Sequence, residues 1–324
     1  MLARHLSRWR GEGGGYAALV LLASGLYLGT AALIPGYLSL ASLRSVLLLA
    51  SLLGIAAIGQ TLTIVLGGLD LSIPAVIGFA EVTVAQLYGQ GWPFAAAALL
   101  VLAAALLFGA MNGLVASGLE VHPLIVTLAS GSILLGAILA VTHGQASGTV
   151  PDWLSATVSV VGHTGPIPLP GAVVAWLVAA AGIVILEHRS VPGRWLYAIG
   201  ANASAARYAR LPLRRVWMLA YAVSAGFAAL AGMLLAGFSG AADAEVGAPY
   251  LFTTVAAVVI GGTPLSGGRG GYGRTVLGCL IITELTTLLI GLGLDQPGQE
   301  IFLGAMIVLL VATYGRQTHL GLRV

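Results

Sequence analysis

The sequence predicts an all-α, polytopic membrane protein, and three observations carry that prediction. Of 324 residues, 58% are hydrophobic and 8% are charged, whereas soluble domains carry about 25% charged residues. Mean hydropathy is +0.99. Apolar runs of roughly span length, 17 to 25 residues, recur at 16–34, 44–66, 72–88, 94–117, 123–143, 171–187, 216–238, 249–262, 275–293 and 300–314, which makes about ten transmembrane helices.

Taken in order, the chain opens with an arm, 1–15, that holds Arg4, Arg8 and Arg10 before a Gly-rich turn. The run that follows lacks a small-residue cleavage site, so it reads as a retained first span and not as a secretory signal. Loops kept in the cytoplasm carry an excess of Arg and Lys. Loop 187–215 gathers Arg189, Arg194, Arg207, Arg210, Arg214 and Arg215 against one acid, Glu187; loop 263–274 holds Arg269 and Arg274, and the tail 315–324 holds Arg316 and Arg323. Ten spans with both termini cytoplasmic put all of these on one side. The organisation expected is therefore a short arm, one transmembrane domain over 16–314 and a short tail. The outer loops are different: 144–170 is Pro-rich and free of Arg, and 239–249 carries Asp243 and Glu245. That face either meets an external partner or is the ordinary complement of the positive-inside pattern.

Composition excludes several chemistries. Every basic residue is Arg, and Lys does not occur in the sequence. A phosphate-cradling Gly-x-x-x-x-Gly-Lys loop and a Schiff-base lysine are thereby ruled out, so any ATP used must be bound by another chain. Cys279 stands alone, and the six His are scattered without metal-ligand spacing, which argues against a metal site. No nucleophile elbow or catalytic carboxylate pair occurs, so no catalytic residue is assigned. The net charge of +3 sits in the cytoplasmic loops and reflects orientation, not nucleic-acid binding.

Several residues are candidates for function. Residues 202–207 read as a short polar helix, with Asn202 as its N-cap, Ala203, Ala205 and Ala206 as strong helix formers, and Pro212 as a stop. It is either a docking element or a solvated connector. Two stretches share the pattern V-[L/I]-G-G-x-x-L-S: one contains Gly67, Gly68, Asp70 and Ser72, the other Gly261, Gly262, Thr263 and Ser266. Paired breaks in apolar runs point to a transport pathway, or to tight turns between successive spans. Asp70 suits a helix N-terminus. If Asp70 and Glu81 shared a helix, they would lie on one face about 16 Å apart. Glu81 and Glu284, inside spans, must face a cavity or find partners. Asn112 offers an amide for a bond between helices, and the Gly109 and Gly113 spacing suits close helix packing.

The motifs together are similar to the permease subunits of bacterial ATP-binding-cassette importers for ribose, xylose and related monosaccharides, from about residue 45 to 314. The elements that carry the resemblance are Gly67-Gly68-Leu69-Asp70-Leu71-Ser72, Asn112-Gly113-Leu114 leading to Pro123-Leu124-Ile125-Val126-Thr127-Leu128, Tyr197-Ala198-Ile199-Gly200-Ala201-Asn202 with Ala205-Ala206-Arg207, and Gly261-Gly262-Thr263-Pro264-Leu265-Ser266.

The resemblance implies an ABC importer permease fold in the bacterial inner membrane. It makes 202–207 a coupling helix seated on a cytoplasmic ATPase subunit, with Asn202, Ala205, Ala206 and Arg207 at the contact. It also implies a second permease, identical or paired, a soluble binding protein outside, and lipid around the spans. ATP and Mg belong to the ATPase partner, and no cofactor to this chain. A neutral polyol would pass small and hydrogen-bonding residues: Gly67, Gly68, Asp70, Ser72, Glu81, Asn112, Gly261, Gly262, Thr263 and Ser266. Pro74, Glu81, Leu135 and Glu284 depart from the pattern and bear on the substrate more than on the machine. The alternatives are a related permease for branched-chain amino acids or nucleosides, and an ion-coupled secondary transporter that uses Glu81 or Glu284.

Overall fold

The computed structural model describes residues 12–320; the arginines expected at 4, 8, 10 and 323 lie outside the described residues. The described chain is a helical bundle: α1 (Glu12–Leu33), α2 (Leu40–Val65), α3 (Ile73–Gly89), α4 (Phe94–Gly118), α5 (Pro123–Thr142), α6 (Asp152–Thr157), α7 (Gly171–Arg189), α8 (Val191–Ala201), α9 (Ala203–Tyr208), α10 (Leu213–Ser239), α11 (Tyr250–Ile260), α12 (Tyr272–Gly291) and α13 (Gln296–Leu320). Each apolar run of the sequence has its own helix. Among the described residues, α1, α2, α4, α5, α7, α10 and α12 are long and apolar enough to cross a membrane, whereas α3 and α11 are shorter.

Helices α2 and α10 form the centre. Along α2 every residue from Ala50 to Val65 is buried, and much of α10 is buried too. Close approach depends on small residues. A side chain on Gly59 would strike Ser224, and one on Gly109 or Gly113 would strike the Tyr221 or Trp217 carbonyl, so α4 seats against α10 through the spacing read as packing. Helix α1 lies at the rim, with little of its surface buried.

Two expected details differ. Asp70 does not begin the third span: Pro74, at the second helical position of α3, fits the fixed φ of a first turn, and the helix starts at Ile73. Asp70 sits in the break before it, so the shared helical face with Glu81 does not exist. Loop 187–215 is also more structured than a connector, because α7 runs on to Arg189 and α8 and α9 fill most of the remainder.

The segment after α10 turns back along α3. Ser239 contacts Glu81, a side chain on Gly78 would strike the Ala244 carbonyl, and one on Gly247 would strike the Pro74 carbonyl. Residues 239–247 thus descend antiparallel to α3 before α11 begins. That descent explains a helix of 11 residues, about 16 Å long, against a hydrocarbon core of about 30 Å.

Candidate functional site

The two double-glycine stretches end α2 and α11 in the same way. At α2, Gly67 N–H donates to Ile64 O at 2.9 Å and Gly68 N–H to Thr63 O at 2.8 Å. At α11, Gly262 N–H donates to Val259 O at 2.9 Å and Thr263 N–H to Val258 O at 3.2 Å. Both are Schellman ends, whose first residue past the cap takes the left-handed conformation that glycine tolerates. Gly67 has φ +89° and Gly262 φ +85°. The structural equivalents are therefore Gly67 and Gly262, one position off the pairing that the sequence pattern suggests.

The two ends also touch. Gly268 N–H donates to Val65 O at 2.8 Å, and a side chain on Gly267 would meet Gly67 Cα at 2.8 Å. Helix α8 closes this contact from outside. A Cβ on Gly200 would overlap the Val65 carbonyl and lie 2.9 Å from Gly268 N, while Tyr197 Oη donates to Gly270 O at 3.0 Å. Burial and the nearby Glu187 carboxylate push the Tyr197 phenol up from its ordinary value, so it stays a donor. Glu187, read in the sequence only as a counter-charge, is 2% exposed, and both of its oxygens accept from Tyr272 N at 3.1 and 2.9 Å. It ties the end of α7 to the start of α12.

Helix α9 stands on this base. Asn202 caps it, with Oδ1 accepting from Ala205 N at 2.9 Å. Ala205 is exposed, but Ala206 is buried at 4% and packs in a cluster with Leu196, Ile199, Val216 and Ala220. Of the two alanines, only Ala205 faces outward. Arg207 is exposed and pairs with Glu120 at 3.3 Å. Tyr208, which sequence reasoning passed over, is 91% exposed. Its signal was a lone aromatic in a polar helix.

A second group of residues is buried between the spans. Asp70 Oδ1 accepts from Ser72 N at 3.0 Å and from Ser72 Oγ, and its Oδ2 accepts from Ser224 Oγ at 2.6 Å. Asn112 Nδ2 donates to Ser72 Oγ at 3.3 Å. Leu71 N donates to Thr127 Oγ1 at 3.0 Å, and Tyr221 Oη donates to Leu69 O at 3.2 Å. The break is thus fastened to α4, α5 and α10, and the polar groups it frees are largely satisfied, as a non-helical segment among membrane helices requires.

The remaining candidates are scattered. Gly68 is buried against Tyr221 Oη and the Trp217 ring, and Gly261 against the Arg274 and Thr275 backbone. Thr263 Oγ1 accepts from Gly271 N at 3.2 Å, and Ser266 is exposed. Glu81 is 0% exposed, accepts from Ser239 Oγ at 2.9 Å through Oε1, and has no partner at Oε2 among the described residues. Glu284 Oε2 accepts from Tyr37 Oη at 3.0 Å, a partner 247 positions away in sequence. Gln60, a second lone amide in an apolar run that the sequence reading missed, is 0% exposed, and neither its Oε1 nor its Nε2 has a partner among the described residues. Its neighbours on α2 are occupied: Gly59 meets Ser224, and Thr61 donates to Thr275 at 3.1 Å.

Comparison with known proteins shows which family shares this sequence. The family described as "Branched-chain amino acid transport system / permease component" matches residues 42–311. The autoinducer 2 import system permease protein LsrD of Salmonella typhi is 31% identical over 83% of this chain and 81% of its own. The probable ABC transporter permease protein YphD of Escherichia coli K12 is 34% identical over 90% of this chain and 87% of its own. The probable ABC transporter permease protein y4mJ of Sinorhizobium fredii is 30% identical over 96% of this chain and 92% of its own. No solved structure matches.

Such a subunit implies an ATPase partner and a substrate-binding protein, and it leaves no place for the ion-coupled alternative. With its apolar helices, it is a multi-pass protein of the bacterial inner membrane. The chain belongs to the branched-chain amino acid transport system / permease component family, as the membrane-spanning permease subunit of an ATP-binding-cassette importer.

Proposed function

We propose that this permease carries a monosaccharide or related small polyhydroxylated molecule, and that α8 and α9 pass the movement of its ATPase partner to the breaks after α2 and α11. The observation that carries the coupling is the position of Gly200, packed against the Val65 carbonyl and Gly268 N, where the two glycine ends meet. An ATPase that grips Asn202, Ala205, Arg207 and Tyr208 moves α9. Because Gly200 leaves no gap, α8 cannot tilt without moving both helix ends.

ATP and Mg act on the partner. When nucleotide closes the ATPase, the ends of α2 and α11 shift and a pathway shared with a second permease changes its open side. We assign Gly67, Gly68, Asp70, Ser72, Glu81, Asn112, Gly261, Gly262, Thr263 and Ser266 to its moving walls, and we add Gln60. The binding protein delivers substrate at the opposite end, near 144–170 and 240–249, with Arg44, the fifth residue of α2, at that same end. The cytoplasmic assignment of the arginine-bearing end follows the positive-inside pattern.

The buried polar groups are mostly hydroxyls and amides, which suit a neutral polyol. Among the relatives, LsrD is named for autoinducer 2 import, while the description of the family itself keeps branched-chain amino acids as the second reading. Uptake into vesicles that hold the permease, its ATPase and its binding protein, measured over a panel of pentoses, hexoses, nucleosides and branched-chain amino acids, tests this. Saturable, ATP-dependent uptake of a sugar supports the proposal. Uptake confined to leucine, isoleucine and valine overturns it.

A further inference from the structure

The arginine-bearing end holds a cavity beside α8, on the side away from α9. It has a volume of about 620 Å³, and its lining includes Tyr16, Arg194, Tyr197, Arg269, Gly271 and Arg274. Arg194 and Arg269 are exposed, and their guanidinium groups have no ion-pair or hydrogen-bond partner among the described residues. Arg274 lies over the Tyr16 ring, 5.4 Å from its centroid. The carboxylate at the wall, Glu187, is turned to Tyr272 N and is 2% exposed. Helix α12 starts here, and its first amide already holds the Glu187 carboxylate, so the positive charge that the cavity offers is that of the arginines. The loop that leads to it, with Gly267, Gly268, Gly270 and Gly271 all at positive φ, brings bare backbone to the cavity.

The surroundings of the cavity decide which anion fits. A Cβ on Gly273 would lie 2.8 Å from Tyr16 Oη and 3.6 Å from Val184 Cγ2, so the ends of α1 and α7 flank the start of α12. Away from the cavity, both flanking helices expose apolar side chains: Leu21 is 67% exposed on α1, and Val178 and Ile185 are 68% and 60% exposed on α7. A basic, polar chamber thus lies at the ends of two helices whose exposed faces further along are apolar, with Tyr16 and Tyr197 at the level where membrane tyrosines sit. A water-soluble anion has no use for those faces, whereas a two-chain lipid has.

We propose that this cavity binds the phosphodiester headgroup of an anionic glycerophospholipid, with Arg194 and Arg269 as its cationic contacts and the exposed apolar faces of α1 and α7 as the bed for its acyl chains. Basic recesses between membrane helices on the cytoplasmic side are suited to such headgroups, and each arginine contributes about a fivefold gain in retention.

The test titrates the delipidated full-length protein in detergent with phosphatidylglycerol and with phosphatidylcholine and reads retained lipid by native mass spectrometry. Phosphatidylglycerol is expected to be retained over phosphatidylcholine. The double variant Arg194→Gln/Arg269→Gln is expected to hold it roughly thirtyfold less well, and Arg194→Lys/Arg269→Lys to recover most of the loss. The charge-matched pair Arg214→Gln/Arg215→Gln, which lines a separate groove, is expected to behave as the parent does and controls for folding. Equal retention of the two lipids, or undiminished retention in the glutamine variant, overturns the proposal. Displacement of phosphatidylglycerol by equimolar inorganic phosphate reassigns the cavity to a free anion. If the glutamine variant keeps the lipid and loses the ATPase subunit, the surface belongs to that protein and the lipid assignment falls.

Discussion

Asp70 accepts a 2.6 Å hydrogen bond from Ser224 across 154 positions of sequence. That bond joins the break after α2 to the middle of α10, where Gly59 lets the two helices touch. Replacing Asp70 by Ala leaves Ser72 N–H, Ser72 O–H and Ser224 O–H without their acceptor. Each unpaired buried donor costs about 1–3 kcal/mol, so Asp70→Ala should lower the thermal midpoint well below that of Ser224→Ala. A double-mutant cycle between the two positions should show a coupling of about 0.5–3 kcal/mol. Additive effects would mean that the contact does not hold the break.

Helix α9 presents its two alanines to different surroundings, and substitutions should separate them. Ala205→Glu adds an exposed charge and should leave the protein folded while weakening capture of the ATPase. Ala206→Glu drives a carboxylate into the cluster with Leu196 and Val216 and should reduce the amount of folded protein in the membrane. Tyr208→Ala should cost about 2 kcal/mol of ATPase affinity, as for an exposed aromatic anchor at an interface. Co-purification of the ATPase, normalised to folded permease, reads all three.

Gly200 is where the coupling proposal is most exposed. A side chain at this position must displace both the Val65 carbonyl and the Gly268 amide, and overpacking of this kind costs about 1–3 kcal/mol. Gly200→Val should keep the ATPase bound and hydrolysing, with substrate uptake reduced more than ATP turnover. Proportional loss of both activities would point to a stability effect with no part in transmission.

Much of this was legible from the sequence, and the residues show why the rest was not. Span length and the arginine loops revealed the helices, because the bilayer constrains both directly. The motif pairing missed by one residue because the left-handed position follows the last helical hydrogen bond, and the string of letters does not mark where that bond falls. Asp70 was read as suiting a helix N-terminus because acids favour helix starts, although Pro74 already marked the start of the helix at Ile73. The opposite fates of Ala205 and Ala206 depend on which side of α9 meets α8 and α10, a tertiary fact. Glu187 looked like a charge among arginines, and its partner, Tyr272 N, lies 85 positions away.

Within the pathway wall proposed above, the contacts of Glu81 give it the part of an anchor. Ser239 donates to Oε1 at 2.9 Å, where the chain turns back along α3. Glu81→Gln keeps an acceptor at that position and should retain uptake within about twofold, with an unchanged pH profile. Glu81→Ala removes the acceptor, at a cost of about 1–3 kcal/mol, and should release segment 240–249. Faster amide exchange in that segment for Ala, and not for Gln, is the expected readout. A displaced pH profile in Glu81→Gln would instead give the carboxyl group a direct part in transport.

Gln60 provides the sharpest separation of structure from function. A residue that builds the fold loses bonds when it is replaced, but the Gln60 amide has none to lose among the described residues. Burying an unpaired amide is unfavourable by about 1–3 kcal/mol, so Gln60→Leu, close in size and fully apolar, should leave the thermal midpoint unchanged or raise it. If the amide waits for substrate hydroxyls or for water that travels with them, the same variant should lose most ATP-dependent uptake while the ATPase and the binding protein still associate. A stable variant with impaired transport would place Gln60 on the route. A stable variant with full transport would leave the amide as a tolerated defect and move the pathway towards Ser72 and Asn112.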